Sequence, residues 1–278
     1  MKRAVNASKS NKYNIYDCRP MEKSNHLSVA IITRNEEENL PACLRSVEFA
    51  GQIVVVDSES SDGTPEVARR FGCDVYNQPW MGFGPQKQFA VDKCRNKWVL
   101  VLDADERIPA ETAEKIRELV AKESEFTGYS FPRKNYFQGK WIRHLGWWPD
   151  RIVRLFLNGK GRISPVQVHE AVVVNGAIKP LDAVIEHYTE SSFSKILQKI
   201  DNYSTLAAGE AFREGKTSSQ AEAVTRAILT FLHDYFIRLG ILDGPQGLTL
   251  SVTDAVNKYF KYAKLDELNR LASSGGLN

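Results

Sequence analysis

The run Lys97-Trp98-Val99-Leu100-Val101-Leu102 has the pattern of a buried strand and closes in Asp103-Ala104-Asp105. On an extended backbone, carboxylates separated by one residue project to the same side. The carboxyl ends of strands are also where open α/β sheets bind ligands. Hard oxygen donors of this kind suit Mg2+ or Mn2+, with substrate phosphates completing the coordination. The chemistry this spacing can do is to hold a divalent cation against a nucleotide diphosphate. An isolated Asp-x-Asp is common at caps and on surfaces, so its weight here comes from polar segments that close other strands. Thr33-Arg34-Asn35-Glu36 follows the first apolar run, and Asp57-Ser58-Glu59-Ser60-Ser61-Asp62-Gly63-Thr64 follows the second.

Those segments need elements to position them. Ser28 to Thr33 reads as a strand, and Leu40-Pro41 opens a helix that turns Leu44 and Val47 inward. Gln52 to Asp57 is rich enough in β-branched residues to be a strand buried on both faces. Thr64-Pro65-Glu66 starts a helix as a capping hydroxyl, a first-turn proline and an acid at the positive dipole end. A short strand at Cys73–Tyr76, a helix from Pro85 to Lys93, the strand ending at Asp103 and a helix from Pro109 to Lys122 complete the alternation. Strands separated by helices predict a mostly parallel, three-layer α/β sheet. Beyond Gly128 the texture becomes short antiparallel strands split by glycine turns, at Tyr129–Arg133, Ile152–Phe156 and Ala171–Val174. From Ser191 onward the pattern is helical, roughly 192–214, 218–240 and 246–271.

Bulk properties narrow the class. The chain has 278 residues and a net charge of +3, with basic residues scattered among acids rather than clustered, which argues against a nucleic-acid partner. The apolar stretch from Ala227 to Leu242 is broken by His233, Asp234 and Arg238, so it does not predict a membrane-spanning helix. Met1 to Asn25 is polar and has no signal-peptide core; Met21 could serve as a start. Cys18, Cys43, Cys73 and Cys94 lack metal-site spacing; Cys43 and Cys73 sit in periodic apolar contexts and read as small core residues, and the set indicates a reducing, cytoplasmic compartment. No GxGxxG follows the first strand and no GxxxxGK[ST] occurs, which removes the main support for dinucleotide and P-loop readings.

In its ordered motifs the chain resembles the inverting glycosyltransferase family 2, whose catalytic domain has the GT-A fold. Ser28 to Glu36 looks like that family's opening strand and nucleotide loop, Val54 to Thr64 like its base-reading segment, Gly84-Pro85-Gln86-Lys87 like its basic helix entry, and Asp103-Ala104-Asp105 like its metal motif. Gly146-Trp147-Trp148-Pro149-Asp150-Arg151, Arg154-Leu155-Phe156, Val168-His169-Glu170 and His187-Tyr188 resemble the lipopolysaccharide inner-core β-1,4-glucosyltransferase subgroup. Ser58 departs from the broader family, where many members carry a second aspartate. The absence of Gln-x-x-Arg-Trp speaks against a processive synthase.

The resemblance implies an α/β GT-A domain over 27–190, with a nucleotide-binding half (27–105) and an acceptor half (106–190). It also implies a small antiparallel sheet, a disordered tail over 1–26 and a helical appendage over 191–272. It implies a UDP-sugar donor bound by Thr33, Arg34, Asn35, Glu36, Asp57, Ser58, Lys87, Asp103 and Ala104, and Mg2+ or Mn2+ held by Asp105, Asp103 and His187. Asp103 has ribose or water as an alternative partner, and His187 has a hydrogen-bonded place in the core. Glu170 is the expected catalytic base beside Asp105, with Asp150 as substitute; the competing reading of Asp150 is an ion pair with Arg151 or Arg154. The expected reaction moves a hexose, glucose foremost, to a lipopolysaccharide core or other lipid-linked glycan. Its rivals are a sugar-phosphate nucleotidyltransferase, whose glycine-rich phosphate loop is missing, and a non-catalytic nucleotide-sugar-binding module. Trp141, Trp147 and Trp148 are either sugar platforms or core anchors. The terminal helices have three candidate partners: a membrane surface, a second subunit, or the catalytic domain. The expected location is the cytoplasm, either free or peripheral on the inner face of the cytoplasmic membrane.

Overall fold

The computed structural model describes residues 23–164, 171–189 and 192–274. The catalytic half alternates β1 (Ser24–Thr33), α1 (Leu40–Ser46), β2 (Ala50–Asp57), α2 (Thr64–Arg70), β3 (Asp74–Asn77), α3 (Phe83–Asp92) and β4 (Trp98–Asp103). There follow β5 (Glu106–Arg107), α4 (Ala110–Val120), β6 (Gly128–Phe137), β7 (Lys140–Trp141), β8 (Asp150–Leu157), β9 (Gly161–Ile163), β10 (Val172–Val174), β11 (Ile178–Pro180) and β12 (Ile185–Tyr188). Helices α5 (Phe193–Arg213), α6 (Gln220–Leu232) and α7 (Gly244–Ser273) come last, with a π turn at His233–Ile237 and a 3-10 turn at Gly240–Asp243 between the latter two.

The main sheet runs β3-β2-β1-β4-β8-β6-β12-β5, with β7 and β11 also paired to β6, while β9 and β10 form a small antiparallel sheet. Strands β1 to β4 are mutually parallel. β8 joins β4 and β6 antiparallel. The α/β architecture is therefore the expected GT-A arrangement. β6 and β8 extend the main sheet instead of forming a separate layer.

Alternation along β1 explains burial on both faces. Leu27, Val29 and Ile31 pack with Leu44 of α1, Val67 of α2 and Ile116 of α4. Ala30 and Ile32 face the other way, onto Ala90 and Val91 of α3. Cys43 and Cys94 are buried in these clusters, and Cys73 packs against the first of them. Burial holds the Cys94 thiol up at about 12. Cys43 and Cys73 are core residues as expected, and Cys94 joins them; Cys18 lies outside the described residues.

Two local expectations change. β1 begins at Ser24, ahead of the boundary at 27, and the rest of the N-terminal segment lies outside the described residues. Thr64 is not a capping hydroxyl: the N-cap position is Gly63, with no side-chain cap. The Thr64 hydroxyl instead accepts from Glu36 N at 2.8 Å and donates to Asp62 at 2.5 Å.

The terminal helices dock through the β6–β8 region. Leu250 of α7 and Ile196 of α5 close a cluster with Phe137, Ile142, Leu145 and Trp147. Asp243 accepts from the backbone of His144 at 3.0 Å, and Leu145 N donates to Arg238 O at 2.9 Å. Trp147 is thus a core anchor, while Trp141 and Trp148 meet edge to face, with centroids 5.2 Å apart. Within the appendage, α7 approaches the 3-10 turn so closely that a Cβ on Gly247 would overlap the Gly240 carbonyl oxygen. Gly247→Ala is expected to cost about 3 kcal/mol. Gly159→Ala, where φ is +78° but nothing lies within 4 Å, should cost about 1 kcal/mol for the left-handed backbone alone. Urea denaturation of the pair tests the ordering.

Candidate active site at the carboxyl rim

Strand register brings the polar segments together. Thr33 lies opposite Asp57 across β1 and β2, and Ile32 lies opposite Asp103 across β1 and β4. The loops after β1 and β2 then interlock. Asp57, 2% exposed, accepts from Thr33 Oγ1 at 3.1 Å, Ser60 N at 2.9 Å and Ser60 Oγ at 2.5 Å. Asn35 N donates to Ser60 Oγ at 2.8 Å, and Ser61 N donates back to Asn35 Oδ1 at 2.8 Å. Gly63 N donates to Glu37 at 2.9 Å. Asn35 and Glu59 both sit at φ +56°, a left-handed conformation that non-glycine residues adopt at a cost and that the cross-bonding sustains. Ser58 is buried and accepts from Gln86 Nε2 of α3 at 2.9 Å, whereas Arg34 is exposed. Burial raises the Glu36 carboxyl above its ordinary value; a hydrogen bond from Asn39 opposes this and neighbouring Asp105 adds to it. Glu36 and Asp105 therefore share one rim.

The two aspartates that opened the sequence argument part company. The backbone turns at Ala104-Asp105, so the alternation of an extended strand ends at Asp103. Ala104 packs into the first core cluster. Asp103 is clamped between Lys87 Nζ at 2.6 Å and Arg154 at 2.7 Å. Burial opposes its ionisation, yet Lys87 and Arg154 hold its carboxyl well below the usual carboxylate range. Arg154 also reaches the fully buried Glu106 at 2.6 Å, and Glu106 accepts from Arg133 at 3.2 Å and from Asp103 N at 3.1 Å. Asp150 pairs with Arg133 at 2.6 Å, not with Arg151 or Arg154. Sequence reasoning passed over Glu106 and Arg133. The signal available was an acid directly after Asp103-Ala104-Asp105 and an arginine in the middle of the strand Gly128–Phe137.

Asp105 turns instead to His187, whose Nε2 lies 3.3 Å from Asp105 Oδ2. Behind the ring, His187 Nδ1 lies 2.7 Å from Asn135 Oδ1. The Asn135 amide nitrogen donates to Trp147 O at 3.1 Å, which sets the amide orientation and makes Oδ1 the atom facing the histidine. Nδ1 must then carry a hydrogen. A neutral His187 presents its Nε2 lone pair toward the Asp105 carboxylate, a gap that a proton or a cation fills. Among the described residues no cluster of three His, Cys, Asp or Glu side chains surrounds a metal-sized point. One carboxylate and one imidazole suit a divalent transition ion such as Mn2+ only with further ligands from outside the chain.

Lys87, Asp103, Arg133 and Arg154 floor a cleft of about 1260 Å³ between the sheet and helices α5 and α7; Asp105, His187, Glu36 and Asp57 are not among its lining residues. Glu170 lies outside the described residues, as do Val168 and His169. The ends of that segment are placed: Ser164 N donates to Ala171 O at 2.8 Å, and Ile163 and Ala171 line the cleft.

Comparison with known proteins assigns the class. Residues 28–175, more than half of the chain, match the family model described as Glycosyl transferase family 2. The chain belongs to that family. It is 32% identical to the lipopolysaccharide core biosynthesis glycosyltransferase LpsC of Rhizobium meliloti, with 88% of this chain and 93% of that protein covered. It is 30% identical to a glycosyltransferase of Rickettsia typhi, covering 91% and 92%. Among solved structures, TarS of S. aureus with UDP-GlcNAc aligns at 13% identity and TM-score 0.42, covering 90% of this chain and 92% of that one.

Two substitutions separate the aspartates. Asp103→Asn should lose about 3–5 kcal/mol at pH 7, because Lys87 and Arg154 are left without their counter-charge. The folded pKa of Asp103 is depressed, so its ionised form stabilises the fold above the unfolded value of about 3.9 and that contribution fades as pH falls below it. The gap between wild type and Asp103→Asn should therefore narrow in acid, as urea denaturation at pH 7 and pH 3 would record. Asp105→Asn should keep nearly full stability but lose Mn2+ binding measured by electron paramagnetic resonance in the presence of UDP. Asn135→Leu should weaken that binding about 10- to 100-fold.

Proposed function

We propose that this protein is a divalent-metal-dependent, inverting, non-processive glycosyltransferase. It transfers a hexose, glucose foremost, from a UDP-sugar to a lipopolysaccharide core or related lipid-linked glycan. The observation that carries the reading is the juxtaposition at one rim of the interlocked Thr33/Asp57 loops with the facing pair Asp105 and His187. The acceptor class rests on the likeness to LpsC, which spans nearly the whole chain. Family membership, rather than the sheet, sets aside the nucleotidyltransferase alternative.

In this reading Glu36, Thr33 and Asp57 face the nucleoside, while Asp105 and His187 hold Mg2+ or Mn2+. When bound, that ion neutralises the charge developing on the departing diphosphate. Lys87 and Arg154 border the neighbouring cleft, and their attachment to Asp103 fixes their positions. Asp103 thereby serves as an anchor more than as a metal ligand. Glu170 takes the proton from the acceptor hydroxyl as that oxygen attacks the anomeric carbon opposite the nucleotide. Tethering of its flanking residues to the cleft wall supports this choice, and Asp150, engaged by Arg133, is the weaker base. The phosphate leaving group needs no protonation, so one base is sufficient, unlike the paired carboxylates of glycoside hydrolysis. No helix among the described residues is long and apolar enough to cross a membrane. A lipid-linked acceptor then requires a peripheral enzyme on the cytoplasmic side.

A UDP-release assay with UDP-glucose and Mn2+ tests the reading. Turnover should vanish with EDTA and return with Mn2+. Glu170→Gln should lower kcat by about 10²- to 10⁴-fold while leaving UDP affinity intact. Full turnover in that variant would remove Glu170 as the base, and absence of UDP release from every UDP-sugar would remove the donor assignment.

A further inference from the structure

The terminal helices turn mostly small residues inward, beside the larger Ile200, Leu250 and Leu265, and leave many large apolar residues outward. Ser204, Ala208 and Ala211 of α5, Ala223 of α6, and Gly247, Ser251 and Ala255 of α7 are buried. Meanwhile Val224, Ile228, Leu229 and Leu232, which share one face of α6, are exposed. The pattern culminates at the turn joining α6 to α7, where Ile237 is 73% and Leu242 62% exposed, with Phe236, Leu239 and Ile241 beside them. Close helix contact through small residues with bulky apolar groups outside is the arrangement found where the surroundings are lipid. On a water-facing surface, a contiguous apolar patch of this kind marks an interaction site.

Charge selects the occupant. From Glu222 to Asp254 there are four acids. Asp234 and Asp243 are buried, 4% and 2% exposed; Asp243 is spent on the backbone of Arg143 and His144, and Asp234 faces His233 and Arg238. Glu222 is paired with Arg226, and Asp254 lies on α7. The arginines of the same stretch stay accessible: side chains of Arg226 and Arg238 are 48% and 41% exposed. Arg143, from the neighbouring loop, is exposed as well. From Tyr235 to Leu242 the turn carries no acid, and its exposed apolar residues with the arginines Arg226, Arg238 and Arg143 near them are complementary to an anionic leaflet. A second copy of the chain would present the same positive rim and be repelled.

We infer that the α6–α7 turn inserts into an anionic phospholipid surface, with Phe236, Ile237, Leu239, Ile241 and Leu242 entering the acyl boundary. Arg226, Arg238 and Arg143 meet the headgroup phosphates. A hollow of about 490 Å³ beside the turn, lined by Arg226, His233, Arg238 and the acids Asp234 and Asp254, shares Asn257 and Lys258 with the larger cleft. Insertion therefore brings the mouth of that cleft to the bilayer, where a lipid-linked acceptor resides. Only this last consequence rests on the proposed activity; the insertion itself does not.

Flotation of the full chain with phosphatidylcholine vesicles, with and without phosphatidylglycerol, tests the inference. The protein should float with the anionic vesicles and be released by high salt. Ile237→Asp combined with Leu242→Asp, at exposed positions remote from the rim, should lower the bound-to-free ratio at least about ten-fold. UDP-sugar hydrolysis in solution should stay unchanged, which reports that the variant is folded. Wild-type protein that remains unbound, or a double variant that floats equally well, overturns the inference. So does a wild-type dimer in analytical ultracentrifugation that the double variant abolishes without any vesicle binding. A protein that floats but releases no UDP keeps the inference and overturns the proposed activity.

Discussion

Carboxylates gathered at the end of a sheet repel one another and cannot remain ionised away from water unless each finds a cation. Asp103, Glu106 and Asp150 meet that requirement through Lys87, Arg154 and Arg133. The resulting chain of ion pairs crosses α3, β4, β5, β6 and β8, so it also fastens the parallel half of the sheet to the antiparallel half. Removing any one member leaves a buried charge uncompensated, which is why the network acts as a unit. Its effect on the site is selective. With the neighbouring acids matched, Asp105 is left facing a histidine rather than an arginine. A histidine lone pair is a ligand, whereas a guanidinium would have displaced any metal.

The nucleotide side obeys a different constraint. Asp57 is almost fully buried, and its oxygens are spent on Thr33 and Ser60. Such a carboxylate shapes the two loops whether or not it also meets a base. The positive φ values of Asn35 and Glu59 are held by the same cross-bonds, so the loops form one preorganised edge instead of two independent segments. Ser58, the second residue of the loop after β2, accepts from Gln86. A second acid there would have needed a second cation in a place occupied by an amide.

Much of this was legible in the sequence. The strand and helix alternation through Val120 follows from periodicity, and parallel register then forces Thr33, Asp57 and Asp103 to a common rim. What periodicity could not give was the turn at Ala104-Asp105: an Asp-x-Asp has the same spacing whether the strand continues or stops. The partition of labour between Asp103 and Asp105 depends on that turn and on arginines far along the chain. Asp150 shows the same limit. Arg151 and Arg154 are its neighbours in sequence, but strand pairing of Arg133 with Asp150 across β6 and β8 supplies the actual partner.

The helical appendage illustrates a further limit of pattern reading. An apolar stripe such as Val224, Ile228, Leu229 and Leu232 indicates a helix, and for a water-soluble protein the stripe ordinarily faces the core. Here most core-facing positions are alanine, serine and glycine, with Ile200, Leu250 and Leu265 as larger exceptions, and the small side chains allow α5, α6 and α7 to approach closely. Gly247 under Gly240 is the extreme case. Burying small residues leaves less apolar area removed from water per residue than burying leucine would. Such a packing gives up part of the hydrophobic stabilisation available to the same composition, and the apolar area it withholds remains on the outer surface of the helices. The hydrophobic period therefore identified the elements correctly, while the choice of which face is inside was decided by side-chain volume at the contacts between helices.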